Sequence, residues 1–284
     1  MKAHKQCCQL NRDRDRNLCL ISQSDKPSEQ VIMNAGTWPK RFLYDVMVEF
    51  LLCKGISTID TVKVLAYELA KAGLHPSSAM GGEKVYAAPN IDALVDGRYR
   101  EIDPDVPGHG GLRCSIGFQL LSDWFPNHET YFGCGWMKFK GERVKVDVSG
   151  GVWSDSKERR AVHELLAQKF LSLSFALHPI VQPTLGAIRE PNFGGYLWED
   201  SHVRKRKIIT LNWVNFFGPE YVAAYGREML MNIPGYRTEE MPDGGVFYQS
   251  RPTFVIQDLI AYRRWKQEAT VYMAEHKIRL HFDK

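Results

Sequence analysis

The sequence predicts an α+β fold, a mainly antiparallel sheet with packed helices, on three observations. Val144–Val148 reads VKVDV, an apolar–polar alternation with the period of a half-buried strand. From Lys157 to Leu177 apolar residues recur at helical spacing, with Val162, Leu165, Leu166, Phe170, Leu173 and Leu177 on one side. Between Ile208 and Tyr248 a strand, a proline-started helix, a tight turn and a second strand follow one another.

Taken in order, residues 1–35 are polar and charge-alternating (RDRDR, QSDKPSEQ) and read as a flexible N-terminal arm. The apolar patch Leu18–Ile21 offers an edge strand as an alternative. Residues 36–150 form an N-terminal α+β region and residues 151–284 a C-terminal one. Arg41–Leu52 is a strand or a short helix, which periodicity does not decide. Ser57 then opens an amphipathic helix with Val62, Leu65 and Leu69 inward, and Gly73 closes it. Residues 76–111 are rich in Gly and Pro, with short strands expected at Lys84–Ala87 and Ala93–Val95. Leu112–Leu121 and Tyr131–Phe139 are the next strands.

The long helix has Asp155 as N-cap and Glu158 three residues on, and Pro179 is expected to stop it. Leu74-His75-Pro76 and Leu177-His178-Pro179 repeat a tripeptide after each helix. A diverged duplication into two related halves is one reading, and ordinary helix-stop chemistry the other. Ile208–Phe217 reads as a central strand, with Trp213, Asn215 and Phe217 on one face and Asn212 on the other. Gly218-Pro219-Glu220 starts a helix that turns Val222, Tyr225, Met229 and Leu230 inward. Pro242–Gly245 is a tight turn before Val246–Tyr248. A last helix over residues 254–276 places Leu259, Tyr262, Trp265, Ala269, Tyr272 and Met273 inside, with a strand considered at Ile278–Phe282.

With 284 residues the core needs no covalent staples. Balanced charge, 37 basic against 33 acidic residues, argues against a nucleic-acid partner. No apolar run reaches transmembrane length, and no apolar segment follows Lys2 and Lys5 to make a secretory signal, so a cytoplasmic protein without a membrane partner is expected. None of the six cysteines forms a C-x-x-C pair, and Cys7 and Cys8 read as free thiols. No catalytic, cofactor or metal site is assigned. His109 sits in a PGHGG loop without a nucleophile context, and His163-Glu164 lacks the second histidine of a zinc helix, since residue 167 is Ala. Asp147 with Asp155, and Glu239 with Glu240, read as solvated carboxylates rather than acid–base pairs. Asn212 and Asn215 are expected to bond a neighbouring loop backbone.

The basic run Arg204, Lys205, Arg206, Lys207 precedes the Ile208 strand, with Tyr196 and Trp198 close upstream. A solvated connection is the plain reading. Aromatic residues beside charges are also what protein-binding patches use, and these six residues are the partner-binding candidates.

The region Trp153–Asp258 resembles immunity-protein families found beside bacterial polymorphic and type VI secreted toxins. The residues that carry it are the helix ending LHP, then QPTLGAIREPN, LNWVNFFGPEYVAAYG and PGYRTEEMPDGGVFYQ. The resemblance implies a cytoplasmic antitoxin that blocks a cognate protein toxin stoichiometrically, with no cofactor. It leaves residues 1–150 unmatched, and the mild positive charge departs from the acidic inhibitors of nucleases. The alternatives are a small-molecule hydrolase or transferase using His109 or His178, and a structural subunit of a secretion or phage-related assembly.

Overall fold

The computed structural model describes residues 41–55, 58–77, 91–98, 100–102, 111–120, 131–140, 142–153, 159–189, 199–254 and 258–281. Among the described residues ten strands form one sheet. They are β1 (Arg41–Cys53), β2 (Leu74–Ser77), β3 (Arg100–Ile102), β4 (Gly111–Leu120), β5 (Tyr131–Lys140), β6 (Arg143–Trp153), β7 (Pro183–Arg189), β8 (Val214–Phe217), β9 (Arg237–Glu240) and β10 (Val246–Gln249). The order is β2-β4-β5-β6-β1-β7-β8-β10-β9, with β3 on β4, and the pairings are antiparallel. The helices among the described residues are α1 (Ile59–Lys71), α2 (Ile91–Arg98), α3 (Arg159–Val181), α4 (Asp200–Arg204), α5 (Pro219–Tyr225), α6 (Arg227–Met231) and α7 (Leu259–Glu275). This is the expected α+β class.

β1 lies between β6 and β7, so strands from both regions of the chain share one sheet. Its alternation sends Val46, Val48 and Phe50 to one face, where they join Val144, Val146, Val148 and the inner sides of α1, α2 and α3. The opposite face is apolar toward the C-terminal strands. There Leu185, Phe217, Val246 and Tyr248 pack under α4, α5, α6 and α7. Toward β6 that same face turns charged, carrying Glu49, Lys145 and Asp147. The edge strand β9 reads RTEE and is largely exposed, a charged rim that discourages pairing with another chain. Glu240 pairs with Arg227 and Glu239 with Arg237 on that rim.

Several elements differ from the sequence reading. Thr58, not Ser57, caps α1 and accepts the Thr61 N–H. Ala93–Val95 is not a strand: it lies in α2, where Leu94 and Val95 are buried against the first core. Pro179 does not stop α3, which continues to Val181. One backbone bond is lost at an exposed proline, while Leu177 and Val181 are fully buried on the inner side. The chain leaves the helix through Gln182 at φ +45°. Next to this end, Gly55 donates to Val181 O, and a Cβ there would stand 2.0 Å from the Ile180 carbonyl oxygen. Only glycine allows that approach.

The two LHP tripeptides occupy different settings. Leu74-His75-Pro76 begins β2, and Leu177-His178-Pro179 lies inside α3, so the tripeptide marks no repeated structure. Ile208–Trp213 is buried throughout but lies outside the strand β8. Its backbone is bonded elsewhere: Ile209 O accepts from the His281 N–H, and Trp213 O from the Ser250 N–H. Trp213 therefore joins the first core and Phe217 the second. The helix after Gly218 is broken at Gly226, φ +85°, and its buried residues are Tyr221, Met229 and Leu230. Leu259, expected inside, is 52% exposed at the start of α7, whose buried residues are Ala269 and Met273. Ile278–His281 is irregular. Leu18–Ile21, Lys84–Ala87, Cys7, Cys8, His109 and Asp155 lie outside the described residues.

Candidate protein-binding surface

Arg204 ends α4, Lys205 caps it, and Arg206 and Lys207 continue as an exposed turn before the buried Ile208. Arg206 adopts φ +52°, which turns the chain sharply. Its guanidinium donates to the Arg204 carbonyl. Arg204 reaches across to the turn between β5 and β6, where Nη2 lies 2.6 Å from Glu142 Oε2. From the same turn Arg143 Nη2 bonds Asp200 Oδ1 at 2.7 Å. Two reciprocal ion pairs thus hold α4 against the β5–β6 turn. Both are exposed, and each contributes no more than about 1 kcal/mol, so their main effect is to order the turn. Beneath it Lys54 pairs with Glu220. Burial works against ionisation there, yet Lys54, a backbone N–H and the nearby Arg206 hold the Glu220 carboxyl below the usual range. Tyr196 and Trp198 lie outside the described residues.

Deeper in the same region, Arg143 Nη1 is 3.4 Å from Glu49 Oε1, and Glu49 Oε2 is 3.4 Å from Arg189 Nη2. Glu49 and Arg189 are 2% and 5% exposed, and Arg189 Nη2 also lies 3.0 Å from Met47 Sδ. The sequence reading missed this network. Its signal was a single carboxylate in the otherwise apolar run VMVEFLL, on the face opposite Val48 and Phe50.

The other sequence candidates fall into the core or into ion pairs. Asn215 Oδ1 accepts the Asn212 backbone N–H at 2.8 Å, which meets the expectation for Asn215, whereas the buried Nδ2 of Asn212 has no hydrogen-bond partner among the described residues and does not. Asp147 pairs with Lys145 at 3.1 Å. The side chain of His163 is not among those described. Cys53 is a buried free thiol, and burial pushes its pKa up. An open depression lined by Arg264, Gln267, Glu268, Val271 and Tyr272 lies along α7 alone. Among the described residues no group of three or more His, Cys, Asp or Glu gathers to hold a metal, and no helix is long and apolar enough to cross a membrane.

His178 is 4% exposed, tilted against Phe216 and edge-on to Phe50. Its Nε2 lies 3.8 Å from Asp243 Oδ2 in the β9–β10 turn. Burial lowers the histidine pKa, and the Asp243 charge only partly opposes this. The unfolded chain then binds the proton more readily than the folded one. Stability from neutral His178 is complete above about pH 6.5 and falls as pH drops through that value toward the folded pKa, at up to about 1.4 kcal/mol per pH unit. Thermal melts at pH 7.5 and pH 5.5 should therefore show a larger acid loss for wild type than for His178→Phe. Equal losses would mean that the ring is protonated at no cost.

No protein-family model matches the chain, and no curated protein matches its sequence. Among solved structures the chain is similar to the Pseudomonas aeruginosa T6SS protein PA0821. The TM-score is 0.43 at 12% identity, over 81% of this chain and 73% of that one.

Proposed function

We propose that this chain is an immunity protein that binds a cognate bacterial toxin and neutralises it by occlusion, without a cofactor. The observation that carries the reading is the exposed cationic turn Arg204–Lys207, held in place by the Arg204–Glu142 and Arg143–Asp200 pairs. A charged surface that is ordered before contact loses little conformational freedom on binding, and it steers an oppositely charged partner toward productive encounter. The resemblance of Trp153–Asp258 to immunity families points to a toxin as that partner. Tyr196 and Trp198, six or more residues upstream, supply the aromatic character that binding hot spots favour.

The test begins with tagged protein recovered from native cells together with a stoichiometric partner encoded in the same locus. Co-expression should then rescue growth from that partner's toxicity. In the purified pair, Arg206→Glu with Lys207→Glu leaves the Arg204–Glu142 bridge intact. It is expected to slow association about tenfold at low salt, with much less effect on dissociation. Growth inhibition that persists on co-expression would end the immunity reading. An unchanged association rate would remove the turn from the interface.

A further inference from the structure

Among the described residues no other element covers the outward side of α7. The helix rests on the second core through Ala269 and Met273, with Trp265 and Tyr272 packed beside them. At about 100° per residue, Ile260, Arg264, Gln267, Val271 and Glu275 line one stripe on the outer side, with Glu268 at its margin. All six are exposed, Ile260 at 81% and Val271 at 53%. The open depression along α7 lies on this stripe, around Val271. Two features distinguish the stripe from a plain solvated face. Its branched apolar side chains, Ile260 and Val271, stand toward opposite ends, three turns or about 17 Å apart. Its charge also runs against the helix dipole, which favours anions near the start and cations near the end. Beyond the cap residue Asp258, Arg263 and Arg264 lie in the first half and Glu268 in the second, and Glu275 is the last helical residue.

We propose that this face pairs with the same face of a second copy of this chain, the two α7 helices running antiparallel about a twofold axis that crosses between Trp265 and Lys266. In that register Ile260 seats on the partner's Val271, within the depression, and Val271 receives the partner's Ile260. Arg264 meets the partner's Gln267 and lies one residue's rise from the partner's Glu268, on the same flank. The Arg264–Glu268 pair within each helix, at 2.8 Å, is exposed and weak, so both groups remain available across the interface. Together the four groups of the two copies form a ring of alternating charge. Glu275 comes beside the start of the partner's α7, where the dipole favours an anion. A parallel pair would instead set Arg264 against the partner's Arg264 and Glu268 against the partner's Glu268. Self-complementarity under a twofold operation is what an isologous interface requires, and an unrelated partner does not impose it. The inference goes beyond the immunity reading and does not depend on it.

The test is sedimentation equilibrium of the full chain from micromolar to submillimolar concentration. Wild type should show a reversible monomer–dimer equilibrium with a dissociation constant in the micromolar range, because one helix pair covers less than the roughly 1,600 Å² of a standard interface. Arg264→Glu sets glutamates against the partner's glutamates, and Glu268→Arg sets arginines against the partner's arginines. Each alone should weaken dimerisation by about tenfold or more. Mixed in equal amounts, the two variants are complementary across the interface, and the mixture should associate within about threefold of wild type. A face that only solvates the helix would show no such recovery. Each variant alters one exposed pair on one helix, so its Tm should stay within about 2 °C of wild type. The proposal is overturned by a wild type that stays monomeric throughout, by single variants that dimerise as wild type does, or by a mixture that stays monomeric. A monomeric wild type that instead captures a partner from its own locus through this face, with capture lost in Ile260→Asp, gives the face to that partner and overturns the proposal equally.

Discussion

Glu49→Ala is expected to lower the unfolding free energy by about 3–5 kcal/mol, a large share of what holds a domain together. Glu49 sits mid-strand in β1, the central strand, with Lys145 directly across on β6 and Ala187 directly across on β7. Its carboxylate lies between Arg189 and Arg143. Arg189 is 5% exposed, so water does not replace a lost carboxylate at its guanidinium. Removing Glu49 therefore takes a counter-charge away from a buried cation, which costs far more than the pair contributes when intact. Replacing both members, Glu49→Leu with Arg189→Leu, should recover most of the loss, giving a strongly non-additive double-mutant cycle. Urea unfolding of the four proteins measures this directly. A Glu49→Ala loss under about 1 kcal/mol would show that solvent reaches the site, and additive single losses would show that the two residues act separately.

The strands that were legible in sequence are those in which one face is buried and the other is polar. In β6 the period-2 pattern of VKVDV is the structure: three valines enter the core while Lys145 and Asp147 stay on the far face. Ile208–Trp213 misled because an apolar run reports burial, not a ladder. Its carbonyls find Ser250 and His281, tens of residues away, and local sequence carries no trace of such partners. Pro179 misled because a local rule about proline lost to the burial of Val181 beyond it. At the candidate surface the exposed cations of the 204–207 turn were visible as composition. What orders them, Glu142 and Asp200 in reciprocal pairs with Arg204 and Arg143, depends on the β5–β6 turn meeting α4. The buried Glu49–Arg189 pair likewise joins residues 140 positions apart.

Phe216→Ala is expected to cost about 3–5 kcal/mol and, in addition, to flatten the acid dependence set by His178. Phe216 is fully buried on β8 and meets four rings from three elements: Phe50 at 6.0 Å, Phe175 at 5.6 Å, His178 at 5.3 Å and Phe247 at 5.4 Å. Gly186, directly across on β7, is what admits these rings. A Cβ there would lie 2.8 Å from Phe50 Cδ1 and 3.1 Å from Phe216 Cδ2. Planar rings fixed from separate elements close poorly around a missing neighbour, so the cavity persists and the loss belongs at the upper end for a core truncation. One wall of that cavity is the His178 imidazole, and opening it to water weakens the desolvation that lowers the histidine pKa. The folded pKa should then move up toward the unfolded value, and the stability difference between pH 7.5 and pH 5.5 should shrink toward that of His178→Phe. Phe216→Leu, which keeps most of the volume, should lose less and retain the acid dependence. If Phe216→Ala instead unfolds at nearly wild-type denaturant, the four rings collapse inward without it and the cluster is not the rigid centre of this face. Full loss of stability with an unaltered pH dependence would separate the two roles, leaving Phe216 as packing alone and the environment of His178 set by Phe50 and α3.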